Sequence, residues 1–256
     1  MKIMIVTGVF LTFFIVFEKE AFPYTTKINI RAVSSLPIHA VETATSKVNM
    51  IAIIGGKGLR NIKGKSNNYL VTQKNIFTNA NLNFYLFPNS SKNEKASYTV
   101  RAKKIQADRI LHLVRGIAKR NSLPTYLVGF SRGAVDVATF AKLYPEKVKG
   151  IVIASGIYTN TSKKAHEYSM EKIIGSDIMT SILVVHHKKD MCKVTQFAYA
   201  QQFISSLNAP KKDTLFYEGG TPSGRACGPL HHHGFEGIEK QVAVGIANWI
   251  TSDAAF

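Results

Sequence analysis

The sequence predicts an α/β fold, a mostly parallel central sheet with helices on both faces. Three observations predict it. Short apolar runs of strand type alternate with longer amphipathic segments along most of the chain. Several of the runs, Met50 to Ile54 and Gly150 to Ala154 among them, are continuously apolar, as strands buried on both faces are. A third run, Tyr126 to Val128, leads straight into Gly129-Phe130-Ser131-Arg132-Gly133 and then a helix-like stretch from Ala134 to Tyr144. Strand, sharp turn and helix follow one another there without a spacer.

The chain has 256 residues, 45% of them hydrophobic, which suits one sizeable domain with an ample core. Its 33 Lys and Arg against 16 Asp and Glu give a formal net charge of +17. The basic residues are scattered, so the charge reads either as a lysine-rich compositional bias or as attraction to anionic surfaces or substrates. No nucleic-acid motif accompanies it, and nucleic acid is not an expected partner.

Residues 1–21 read as a signal peptide or N-terminal anchor, leaving 22–256 as a single domain. Lys2 precedes an apolar run from Ile3 to Phe17, followed by Glu18-Lys19-Glu20 and Pro23. The run fits the apolar core of a signal peptide and falls short of the ~20 residues a spanning helix needs. Lys19 stands where a cleavage site carries a small residue, so cleavage and an uncleaved anchor both remain open. The expected location is periplasmic or secreted, with no stable membrane span beyond such an anchor.

Lys27 to Val33 alternates apolar and polar residues and predicts an early edge strand. Ser34 to Lys47, with Pro37, predicts a loop or a weak strand pair. Met50 to Ile54 predicts a buried strand with a glycine-rich exit, Gly55-Gly56-Lys57-Gly58. Asn67 to Asn81 has helical apolar spacing, and Leu82 to Leu86 predicts a strand ending at Pro88. Asn89 to Ser97 breaks the pattern. Arg101 to Arg120 predicts an amphipathic helix with Ala107, Ile110, Leu111, Val114, Ile117 and Ala118 on one face, and His112 partly buried. The 25 residues from Ile157 to Ser181 leave room for a helix or two, a minimal lid over an open site. Ile182 to Val185 predicts a strand, and His186 to Cys192 the loop that leaves its C-terminal end, where open α/β sheets gather their functional groups. Thr195 to Leu207 predicts a helix and Thr214 to Tyr217 a strand. A loop from Gly219 to Pro229 follows, then His231-His232-His233-Gly234-Phe235 and a last helix carrying Ile238, Val242, Ile246, Trp249 and Ile250 on one face.

Ser131 on such a turn has its hydroxyl thrust out of the backbone, with the start of a helix behind it. A serine hydroxyl is a weak nucleophile at neutral pH and needs a base within hydrogen-bond reach. A histidine titrates in the right range, and a carboxylate fixes its tautomer and stabilises the imidazolium that forms. Asp190 is the carboxylate at a strand's end, with Asp177 its weaker substitute. The base is one of three consecutive histidines. Gly234 and Phe235 after it, and the helix start beyond, favour His233 over His231 and His232. No metal-ligand spacing matches the histidines, and neither a metal nor a cofactor is implied.

The chain resembles the α/β-hydrolases over nearly all of residues 45–256. The motifs that carry the match are Gly55-Gly56-Lys57-Gly58, Val128 to Gly133, Val185 to Cys192 and His233-Gly234-Phe235, in the chain order serine, acid, histidine. More narrowly it resembles a subgroup of exported bacterial α/β-hydrolases of mostly unassigned substrate, departing from it at Lys57, where the resemblance implies an acidic residue. The resemblance implies a catalytic set of Ser131, Asp190 and His233. It also implies an oxyanion hole built from the backbone N–H of Arg132 and of the glycine-rich loop, with Lys57 the first choice there and Gly56 the second.

The expected activity is hydrolysis of an ester or other acyl bond of a small molecule. The alternatives are a peptidase of the same fold and a non-catalytic binding protein on the same scaffold. Lys57 and Arg132 beside one cleft favour an anionic substrate, unless Arg132 pairs internally with Asp136 one turn on. Cys192 and Cys227 are the only cysteines, and export would place them where oxidation persists, so a disulfide between them is expected.

Overall fold

In a computed structural model of the chain, residues 23–158 and 162–255 are described. The targeting segment expected over 1–21 lies outside them. Eight strands form one sheet: β1 (Tyr24–Ile28), β2 (Ile38–Glu42), β3 (Val48–Ile53), β4 (Leu82–Leu86), β5 (Thr125–Phe130), β6 (Gly150–Ala154), β7 (Ser181–His187) and β8 (Lys212–Tyr217). Their order across the sheet is β1-β2-β4-β3-β5-β6-β7-β8. The β1–β2 and β2–β4 pairs are antiparallel, and every later pair is parallel.

Side chains that alternate along the inner strands separate into two cores. Ile51, Ile53, Leu127, Ile151 and Ile153 point to one face. That face is covered by α3 (Tyr98–Arg101), α4 (Lys104–Ala118), α5 (Gly133–Leu143), α7 (Met170–Ile173) and α8 (Phe197–Ser206). Met50, Ala52, Tyr126, Val128 and Val152 point to the other, under α1 (Tyr69–Thr72), α2 (Lys74–Asn79) and α9 (Glu239–Ala254). Both faces of the sheet are therefore dry, which is why these strands read as unbroken apolar runs. The register sets Ala52 beside Val128 and Ile53 beside Gly129, so the glycine-rich exit of β3 lies next to the Ser131 turn. Among the described residues no helix is long and apolar enough to cross a membrane.

Several elements differ from expectation. The edge strand expected over Lys27 to Val33 lies earlier in the chain, as β1 (Tyr24–Ile28), and shares only Lys27 and Ile28 with that stretch. The chain turns where the Val33 and Ser34 N–H groups both bond the Ile30 carbonyl, and Val33 enters the core. The stretch read as loop or weak pairing contains β2, bonded on both sides. The helix expected over Asn67 to Asn81 is two short helices that break at Gln73. That expected from Arg101 begins as α3, breaks, and resumes as α4. Ala118 and His112 are exposed, whereas Leu113, off the expected stripe, is fully buried. Strand β7 runs through His186 and His187, because both pair with β8 at Phe216 and Tyr217. Between β6 and β7 lie two short helices, α6 (Lys163–His166) and α7.

Candidate active site

Ser131 follows β5 directly, with its own backbone left-handed at φ +54°. A non-glycine residue held there costs about 1–3 kcal/mol unless its surroundings fix it. Here its N–H bonds the Ala154 carbonyl of β6 at 2.8 Å, and its carbonyl accepts from Ala134 N–H at 2.9 Å. Gly133, two residues after the serine, and Gly55, in the neighbouring exit loop of β3, are required by contact. A Cβ at Gly133 would collide with the Ile53 carbonyl, and one at Gly55 would lie 2.8 Å from Ser131 Cβ. The pattern that singled out Ser131 thus permits β3, its exit loop and α5 to converge on one hydroxyl.

His233 lies in a single 3₁₀ turn, His232–Gly234, between β8 and α9. Its Nε2 is 2.9 Å from Ser131 Oγ and its Nδ1 is 2.9 Å from Asp190 Oδ2. With Nδ1–H donating to the carboxylate, Nε2 is free to accept the serine proton. Ser155 Oγ–H bonds the His233 carbonyl at 2.8 Å and fixes the backbone behind the ring. Asp190 leaves the end of β7 and is buried. It accepts Cys192 N–H on Oδ1 at 2.9 Å and Thr195 Oγ–H on Oδ2 at 2.8 Å, with His186 Nε2 3.4 Å away. Burial alone would raise its pKa. The facing His233 and His186 rings outweigh that and hold the carboxyl well below the usual range, so it stays ionised.

The structure brings Ser131, His233 and Asp190 into one hydrogen-bonded row and leaves the other two histidines outside it. His232 instead stacks on His187, ring centroids 4.3 Å apart. Burial lowers the pKa of both rings. His187 is committed through both nitrogens, donating to the Gly219 carbonyl and accepting from Lys189 N–H. Asp177 is a partner of Asn208 at a bridge away from Ser131. Among the described residues no group of three or more His, Cys, Asp or Glu is placed to hold a metal ion.

Gly56, at φ +59°, and Lys57 face Ser131 across a cleft of about 250 Å³, lined also by Gly55, Asn68 and Pro229. Arg132 caps the start of α5. Among the described residues no hydrogen bond takes the backbone N–H of Gly56, Lys57 or Arg132. The loop is held by Gly58 N–H on the Gly55 carbonyl, and by Asn89 Nδ2 and Ala96 N–H on the Lys57 carbonyl.

No protein-family model matches this sequence, and no curated protein sequence matches it. Solved structures do. A dienelactone hydrolase from Anabaena variabilis superposes with TM-score 0.62 at 13% identity, covering 91% of this chain and 98% of its own. The esterase domain of a Rhodothermus marinus protein gives 0.60 at 11%, covering 90% and 99%. Oligopeptidase B from Leishmania major gives 0.62 at 11%, covering 92% of this chain and 37% of that longer one. The fold is that of the α/β-hydrolases.

Within this α/β-hydrolase fold the disulfide Cys192–Cys227 joins the loop bearing Asp190 to the loop that precedes His233. Asp136 does not pair with Arg132. It is fully buried and accepts from Arg101 Nη1 and Gln106 Nε2, while Arg101 Nη2 bonds the Ile54 carbonyl at 3.1 Å. Arg101 is itself buried and so braces the exit of β3 against α5. The sequence carried a signal for this brace. A carboxylate inside the otherwise apolar run Ala134 to Ala138 must find a buried cation or donor. Thr195, His186 and Ser155 also went unpredicted, and a lone threonine five residues past an aspartate carries no such signal.

Proposed function

We propose that the protein is a serine hydrolase that cleaves esters of small acyl substrates through an acyl-enzyme on Ser131. The observation that carries the reading is the unbroken row Ser131 Oγ, His233 Nε2, His233 Nδ1, Asp190 Oδ2, with both bonds at 2.9 Å. It stands at the mouth of a cleft. In this reading His233 Nε2 takes the Ser131 proton as Oγ attacks the carbonyl carbon, and the π pair of the C=O bond moves onto the carbonyl oxygen. The N–H groups of Arg132 and of Lys57 or Gly56 receive that oxyanion. The oxyanion then re-forms the C=O bond, the bond from the carbonyl carbon to the alkoxide oxygen breaks, and His233 gives its proton to that oxygen. Water repeats the sequence on the acyl-enzyme and restores Ser131. Asp190 stays ionised throughout and stabilises the imidazolium. The esterase and dienelactone hydrolase among the structural neighbours support an ester-type substrate.

We also infer export, periplasmic or secreted, from the Lys2 to Phe17 pattern, and the disulfide suits an oxidising compartment. A fluorophosphonate probe tests the catalytic reading. Labelling of the native protein and its loss in Ser131→Ala and His233→Ala, with His232→Ala still labelled, is the expected result. Folded native protein that resists the probe would instead point to a binding protein on this scaffold. Hydrolysis of anilides in preference to matched esters would favour a peptidase.

A further inference from the structure

We propose that a second, larger cleft beside Ser131 is an anion-binding subsite that takes a carboxylate at the far end of the substrate, an assignment that rests on the acyl-transfer reading above. This cleft has a volume of about 780 Å³ and shares Ser131, Gly56, Lys57 and Cys227 with the smaller one. It adds Arg132, Arg225, Tyr98 and Val194. Three cations therefore line it, and among the described residues no aspartate or glutamate does. No ion pair with a carboxylate is formed by Lys57, Arg132 or Arg225 among the described residues. The one acid within a turn of Arg132, Asp136, is buried and held by Arg101 and Gln106.

Arg132 is also fixed in place. Its guanidinium lies over the Tyr98 ring, 4.7 Å from the centroid, and Tyr98 stacks on Tyr168 at 5.5 Å. Stacking uses the face of the guanidinium and leaves its N–H edge for an acceptor in the same plane, the arrangement that a carboxylate matches. Charges of one sign around a concave wall focus their field inside it and raise the local concentration of anions. Tyr98 and Val194 supply the apolar wall against which a short methylene chain can lie. By contrast, the smaller cleft is lined by Ser66, Asn67 and Asn68, and among the described residues Lys57 is its only ionic one. The two clefts thus suit different ends of one molecule, with the scissile carbonyl between them at Ser131.

The test separates binding from turnover. Monomethyl adipate and methyl hexanoate are titrated calorimetrically into Ser131→Ala, which keeps the cleft and blocks acylation. The adipate is expected to bind about tenfold tighter at low salt. That preference should shrink in roughly 0.5 M salt, where the screening length falls to a few ångströms. Arg225→Gln should reduce it severalfold. Equal binding of the two esters at both salts, or binding of neither, overturns the subsite. Turnover of para-nitrophenyl hexanoate and para-nitrophenyl hydrogen adipate by the native protein forms the second arm. Equal kcat/KM for both removes the subsite and leaves acyl transfer standing. Selective adipate binding with no hydrolysis and no probe labelling removes acyl transfer and leaves the subsite.

Discussion

Replacing Cys192 and Cys227 together by serine removes the covalent link between the acid-bearing and histidine-bearing loops. The cysteines are 35 positions apart, and closing a loop of that length lowers the unfolded chain's entropy enough to contribute about 4 kcal/mol. At about 2–4 °C per kcal/mol for a domain of this size, the melting temperature should fall by roughly 8–15 °C. The denaturant m-value should rise, because the freed chain exposes more surface when it unfolds. Turnover should suffer less than stability. Asp190 keeps Thr195 and the Cys192 N–H, and His233 keeps Ser155, so about tenfold in kcat is expected from loosened alignment. Urea and thermal melts of the native protein, the double variant and the reduced native protein decide it. A double variant that melts within a degree or two of the native protein, with an unchanged m-value, would refute the argument that this bond restrains the unfolded chain.

Three other outcomes follow from the same geometry. Thr195→Val removes a donor to Asp190 Oδ2 and should lower kcat about tenfold with KM held; an unchanged kcat would show that the threonine positions nothing. Arg101→Met leaves Asp136 buried without its counter-ion, with only Gln106 donating to it, and should cost about 3–5 kcal/mol in urea melts, most of it recovered by adding Asp136→Leu; a loss below about 1 kcal/mol sinks the brace. Asp190 has a depressed carboxyl pKa in the folded state, so its contribution is complete above the ordinary value of 3.8 and drains away as pH falls below it. The stability gap between native protein and Asp190→Asn should therefore narrow from about pH 6 to about pH 3, and a constant gap contradicts this.

The sequence made the sheet legible because its inner strands are dry on both faces, and a run such as Ile151 to Ala154 can be little else. It failed at the edge. β2 follows no apolar alternation that survives Pro37, and the alternation over Lys27 to Val33 coincides with β1 only at Lys27 and Ile28, because Ile30 and Val33 are apolar for the sake of a turn packed against the core. The site was legible where chemistry constrains local backbone, as in the glycines around Ser131. It was partly legible where only order in the chain counts, as for Asp190 and His233. It was illegible where a residue acts through a contact remote in sequence: Ser155 reaches the His233 carbonyl across 78 positions, and Arg101 meets Asp136 across 35. Arg132 shows the converse hazard. Its spacing from Asp136 fits a helical ion pair, but the carboxylate turns inward to a guanidinium that no local pattern announces.

The Arg101 brace also fastens one rim of the cleft to two other parts of the fold. One guanidinium grips the carbonyl just before Gly55, the Ala96 carbonyl and the first turn of α5 at once. Shifting the exit of β3 outward by an ångström would break the bond from Arg101 to the Ile54 carbonyl, so the brace restrains this side of the cleft. The wall that carries Arg225 and Cys227 is held differently, by the disulfide that ties it to the loop bearing Asp190. Under the proposed reaction, the Gly56 and Lys57 amides would then meet the reacting oxygen from a wall already held in place before any substrate arrives.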